Sequence, residues 1–160
     1  MEALNFSAAD LAANRAGRLS ERQKYKLERG WRRMLWITIG GVVFVTLGAT
    51  ILLFLGQQNE SPILSFIGVL LTIVNAVLIG VGAQSYLRTS RDLREGRAAE
   101  LSGVVTHTIR ITGRVATYIL RVEGQDVVVA KPVFFAVEEG KPYRLYRAPN
   151  SKALLSGEAV

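Results

Sequence analysis

Cysteine is absent from this 160-residue chain, and histidine occurs once, at His107. Without thiols there are no disulfides, thiolate metal sites or cysteine nucleophiles, although compartment is left open. His107 falls within a predicted strand and has no second His and no Cys to share a metal with. No Ser-His-Asp set is recognisable, and no Gly-x-x-x-x-Gly-Lys loop occurs. Glu138 and Glu139 are adjacent, as at an ordinary helix end, and nothing marks them as an acid/base pair. The sequence therefore predicts no enzymatic activity, no metal and no cofactor. Charge is missing too, but only locally. Residues 34–55 and 63–87 contain no Asp, Glu, Lys or Arg, and the turn between them carries Glu60 and no basic residue.

Those two apolar runs predict the class. A hydrocarbon core of about 30 Å needs roughly 20 helical residues at about 1.5 Å each, and both runs are that long. The spacing predicts a transmembrane helical hairpin with spans at 34–55 and 63–87. The first run is too long for a signal-peptide core and has no small-residue cleavage site behind it, so it is expected to stay in the chain. Gly40-Gly41 lies inside this span, where a phosphate cradle makes no sense.

Positive charge predicts orientation. Arg15, Arg18, Arg22, Lys24, Lys26, Arg29, Arg32 and Arg33 precede the first span, and Arg88, Arg91, Arg94 and Arg97 follow the second. Basic residues stay on the cytoplasmic side, so the chain is expected in a bacterial inner membrane with both termini cytoplasmic. Trp31, Arg32, Arg33, Trp36, Tyr86 and Arg88 fall where headgroups meet hydrocarbon, and are the expected interface anchors. The net charge of +7 is largely juxtamembrane, which makes anionic lipid the first expected partner.

Residues 1–33 read as a basic juxtamembrane segment in two helical pieces. Ser7 with Asp10, and Ser20 with Gln23, each match a capping box, and residues 14–17 favour a turn. The piece from Ser20 to Arg33 is expected to lie along the headgroups, run straight into the first span, or dock a partner. Residues 88–101 are expected to form a helical linker with a solvated, charged surface that includes Asp92, and Gly96 weakens it.

Inside the second span, Gly68, Thr72, Ala76 and Gly80 recur every four residues, with Asn75 near the same face. Small residues let helices approach closely in lipid, and an amide at mid-bilayer seeks a hydrogen bond. These five are the expected helix-packing residues. Gly40, Gly41, Thr46, Gly48 and Thr50 offer a second small-residue surface in the first span. The two surfaces either pack on each other or recruit a third helix. No ionisable group marks an ion path.

Residues 102–160 read as a small β domain. Short β-branched or aromatic runs at 104–111, 115–122, 127–130, 143–146 and 153–155 are separated by turns at Gly113, Gly124, Gly140 and Pro149-Asn150. Residues 132–139 suit a short helix. The fold class is thus an α+β membrane protein, a two-helix hairpin followed by a small cytoplasmic five-stranded, barrel-like domain. Arg110, Arg114, Arg121, Lys131, Lys141, Arg144, Arg147 and Lys152 make it basic, with Tyr118, Phe134, Phe135, Tyr143 and Tyr146 among them. Such a mixture can bind nucleic acid, but core packing of the rings and solvation of the cations is the favoured reading, so nucleic acid is not expected.

The stretch Gly140-Lys141-Pro142-Tyr143-Arg144-Leu145-Tyr146-Arg147-Ala148-Pro149-Asn150-Ser151, followed by Leu154-Leu155-Ser156, resembles the end of a recurrent bacterial membrane-anchored β domain. More loosely, residues 102–160 resemble the OB-like domains of NfeD-type proteins. The resemblance implies an interaction or accessory module and supplies no catalytic residue. The expectation is a non-enzymatic accessory subunit. It would pack on integral membrane partners or on itself and present its β domain to proteins. The alternatives are an autonomous tethered binding module or a small homo-oligomeric channel.

Overall fold

The computed structural model describes residues 6–160. The chain divides into two compact units, residues 27–90 and the segments on either side of them.

The first unit is a helical hairpin built from α2 (Glu21–Gln58) and α3 (Pro62–Glu95). Both helices are long and apolar enough to cross a membrane. Helix α2 begins well before the apolar run and takes in basic residues from Arg22 to Arg33. Pro62 opens α3 at a position where its missing N–H costs nothing. The turn closes tightly: the Ser61 N–H donates to the Gly56 carbonyl at 2.8 Å, and Glu60 takes a left-handed φ of 49°. Large side chains such as Trp36, Phe44 and Ile63 lie about three-quarters exposed on the hairpin's outer faces. Apolar surface on all sides is what a lipid solvent selects.

The second unit is the α+β domain. Helix α1 (Ala8–Arg15) is followed by the first turns of α2, and the chain returns through the end of α3. Six strands follow: β1 (Ala99–Val104), β2 (Thr106–Thr112), β3 (Val115–Val122), β4 (Gln125–Val129), β5 (Pro142–Arg147) and β6 (Leu154–Ala159), with α4 (Lys131–Ala136) between β4 and β5. They form two antiparallel three-stranded sheets, ordered β1-β5-β6 and β2-β3-β4. The core joins Leu101, Leu120, Val122 and Val127 to Phe134, Val137, Tyr143 and Leu145.

Several expectations are corrected here. Among the described residues the domain has six strands rather than five, and they lie in two open sheets rather than one barrel-like sheet. The run at 104–111 is not one strand. It breaks at Val105, where the chain leaves one sheet for the other. Val105 is fully buried, its N–H donates to the Lys141 carbonyl at 3.1 Å, and its own carbonyl accepts from Gly140 at 2.9 Å. The linker expected at 88–101 already contains the start of β1, which pairs with β5 from Ala99 onward. Its helical part ends where Gly96 adopts a φ of 60°, a left-handed conformation that glycine enters without penalty. Helix α4 is shorter than 132–139 because Val137 is already extended. Glu123 and Gly124, both left-handed at 50° and 75°, make the two-residue turn that matches the twist of the β3–β4 hairpin.

Candidate interaction faces

The seam of the hairpin is set by residue size. A Cβ added at Gly68 would lie 2.7 Å from Leu53 Cγ and 3.1 Å from the Leu53 backbone nitrogen. One added at Gly82 would lie 2.9 Å from Thr38 Cγ2. Between them, Asn75 Nδ2 donates to Thr46 Oγ1 at 2.7 Å, while the Thr46 hydroxyl donates to the Val42 carbonyl at 2.8 Å. Gly68, Asn75 and Gly82 are seven residues apart, so a 3.5-residue repeat brings them onto one stripe facing α2.

The five predicted packing residues therefore separate. Gly68 and Asn75 serve the hairpin itself. Thr72 is exposed and donates to the Gly68 carbonyl at 2.9 Å, Ala76 is exposed, and Gly80 has open space where a side chain would project. Gly40, Gly41 and Gly48 are open in the same way. Gly82 joins the seam through the seven-residue spacing from Gly68 and Asn75, a signal that the four-residue spacing of the predicted packing residues does not carry. Among the interface residues, Trp31 and Tyr86 pack ring on ring at 5.1 Å, Trp36 is exposed, and Arg32 pairs with Glu28 at 2.8 Å. Arg33 and Arg88 are exposed and have no carboxylate partner among the described residues.

In the α+β unit, the N-terminal segment is part of the fold. Both predicted capping boxes form: Ser7 with Asp10, and Ser20 with Gln23. Asn14, buried at the end of α1, donates to Ser156 Oγ of β6 at 2.6 Å, and Gln23 Nε2 donates to the Leu155 carbonyl at 3.2 Å. Arg15 makes a two-pronged contact with Glu158, which also accepts from the Tyr146 hydroxyl at 3.2 Å. The Ser20 hydroxyl donates to the Asp10 carboxylate. Asp92 does not sit on a solvated surface. It is fully buried, and its carboxylate accepts from the Asn150 N–H at 2.8 Å, Asn150 Nδ2 at 2.9 Å and the Ser151 N–H at 2.6 Å.

Glu158 and Asp10 couple the fold to pH. The Arg15 guanidinium, by hydrogen bond and by charge, holds Glu158 below the ordinary carboxylate range. Burial pushes Asp10 up, but hydrogen bonds from Ser20 and Ser7 with the charge of Arg22 outweigh it, and the net shift is downward. A carboxylate with a lowered folded pKa stabilises the fold above its unfolded value of about 4 and loses that contribution as pH falls through the folded value. Unfolding midpoints should therefore drop as pH falls from about 5 through the carboxylate range. Glu158→Gln should shrink that drop, and a midpoint flat across the same range would contradict the coupling.

The β2–β3–β4 sheet leaves β2 as an edge. Its first outward N–H, at His107, is covered by the Glu139 carboxylate at 3.0 Å. Strand alternation turns the backbone of Ile109 and Ile111 the same way, and neither finds a partner there among the described residues. Their side chains are 50% and 72% exposed on the face shared with their cross-strand partners Tyr118 and Ala116. Tyr118 in turn touches Phe134 at 5.2 Å and Phe135 at 6.2 Å, and Phe135 is 66% exposed. The result is an apolar, partly aromatic patch along an open edge. Arg110, on the opposite face of β2, lies 3.8 Å from Asp126.

No family model and no curated protein matches the chain.

The remaining aromatics expected at a nucleic-acid surface are in the core, since Phe134, Tyr143 and Tyr146 are all buried. His107 stacks on Phe134 at 4.2 Å. Among the described residues, no group of three or more His, Cys, Asp or Glu gathers at metal-binding distance.

Proposed function

We propose that this chain is a non-enzymatic membrane accessory protein whose β domain captures an extended segment of a partner protein. The supporting observation is the open β2 edge, with Ile109, Ile111 and Phe135 exposed beside it. A strand added at such an edge gains main-chain hydrogen bonds from Ile109 and Ile111, and alternate apolar side chains cover the patch. Arg110, on the other face, and Arg114, in the following turn, favour acidic residues at the intervening positions of the incoming strand. Two copies pairing symmetrically about Arg110 would oppose like charges, which disfavours self-association there.

In this reading the hairpin holds the domain at a bacterial inner membrane, with both termini cytoplasmic as the basic flanks predict. The test is a photo-reactive residue at Ile111 of the full chain in native membranes. One protein should be crosslinked through an extended segment with alternating apolar and acidic residues, and adding Ile109→Lys should lower its recovery about tenfold or more. Crosslinks confined to lipid, or to a second copy of the chain, would defeat the reading. A second reading gives the accessory role to the membrane unit as well. It is favoured by Gly40, Gly48, Ala76 and Gly80, whose small surfaces the hairpin leaves free for another helix.

A further inference from the structure

We propose that a groove between α2 and α3 is a binding site for one acyl chain of an anionic phospholipid, with Arg33 and Arg88 meeting its phosphate. The groove has a volume of about 360 Å³ and lies wholly within the hairpin unit. Its apolar part is formed by Met34, Ile37, Gly41, Leu78, Val81 and Gly82. Gly41 is one reason it exists: a Cβ there would meet nothing within 4 Å.

Three observations select the occupant. The first is length. On α2 the groove runs from Trp31 to Gly41, which at about 1.5 Å per residue is roughly 15 Å. That is half of a hydrocarbon core of about 30 Å, the depth of one leaflet. A third transmembrane helix would need a seam of twice that length, whereas a lipid tail fits the depth.

The second is polarity. The end away from Gly41 is lined by Trp31, Ser85, Tyr86 and Thr89. The Trp31 indole nitrogen is buried there with no hydrogen-bond partner. A donor in apolar surroundings is costly when unpaired, and the ester and phosphate oxygens of a lipid are acceptors at that depth. The third is charge. Arg33 is adjacent to this end on α2 and Arg88 on α3, both exposed and without a carboxylate among the described residues. Guanidinium groups bind phosphate in a planar two-pronged geometry, so an anionic headgroup is favoured over a zwitterionic one.

Trp31 and Trp36 are the only tryptophans, so Trp36→Phe leaves Trp31 as a reporter in the full chain. The chain would be reconstituted into phosphatidylcholine bilayers containing a fraction of phosphatidylglycerol, with bromine on the acyl chains of one lipid or the other. Brominated phosphatidylglycerol should quench Trp31 at about fivefold lower mole fraction than brominated phosphatidylcholine. Arg33→Gln/Arg88→Gln should erase that preference while leaving quenching itself. Gly41→Leu, which fills open space, should weaken quenching by both lipids. Native mass spectrometry of the unmodified chain should retain one phosphatidylglycerol per chain. Equal quenching by the two lipids from the start would reduce the groove to ordinary boundary lipid and overturn the proposal. So would exclusion of both lipids from Trp31 by a second copy of the chain.

Discussion

Replacing Asp92 with alanine is expected to destabilise the α+β domain by about 3 kcal/mol, the largest effect anticipated for any single side chain outside the apolar core. The carboxylate has no exposure and accepts three N–H groups from Asn150 and Ser151, two of them from the backbone. Those residues form the connection between β5 and β6, where Lys152 also takes a left-handed φ of 60°. An alanine leaves the donors without acceptors, at roughly 1–3 kcal/mol for each one that water does not reach. Asp92→Asn should fall between wild type and alanine. It keeps one acceptor oxygen but turns an NH2 group toward the second site, where the Ser151 N–H also donates. Denaturant unfolding of the full chain in mild detergent reads the loss, and hydrogen exchange at the Asn150 and Ser151 amides reads its location. Unchanged stability with both amides still protected would show that the connection holds itself.

Gly68→Leu should part the two long apolar helices, and Gly80→Leu should not. At Gly68 the first added carbon already reaches 2.7 Å from Leu53 Cγ and 3.1 Å from the Leu53 backbone nitrogen, so rotamer changes alone cannot make room. Overpacking that moves backbone costs about 3 kcal/mol. It would also draw apart Asn75 and Thr46, whose hydrogen bond is worth about 1 kcal/mol in a bilayer. At Gly80 nothing lies within 4 Å, so the hairpin should unfold as the wild type does. Unfolding in graded SDS, followed by tryptophan fluorescence, separates the two variants. The same pair tests the recruitment of a third helix. If the free small-residue surfaces take part, Gly80→Leu lowers the mass of the detergent-extracted assembly while leaving hairpin unfolding unchanged; an unaltered mass removes that reading.

What was legible in the sequence follows from how local each signal is. Span length depends only on consecutive uncharged residues. The capping boxes at Ser7 and Ser20 depend on spacing within one turn, and both formed. Strand β3 was legible at 115–122 because its β-branched run is bounded by turn residues. Asp92 was misread as solvated because its partners lie almost sixty residues away, at Asn150 and Ser151. One signal was present: an acidic residue near the C-terminus of a helix opposes the helix dipole and needs a compensating donor. Asn14 read only as a turn residue and Gln23 only as a capping residue for the same reason. Their partners, Ser156 and the Leu155 carbonyl, come from the last strand.

The sequence alone determined that two helices can cross a membrane, that they are joined by a short turn, and that a small β domain follows. Each is settled by composition or by periodicity over a few residues. Tertiary structure decided which glycines the hairpin consumes and which it leaves open, because that depends on what stands opposite each Cα. It decided that the N-terminal segment belongs to the β domain, since the buried amides of Asn14 and Gln23 must find partners and find them on β6. It also decided the two open sheets and the bare edge of β2. A strand's neighbours are chosen by burial and backbone hydrogen bonding across the whole domain, and no local pattern encodes that choice.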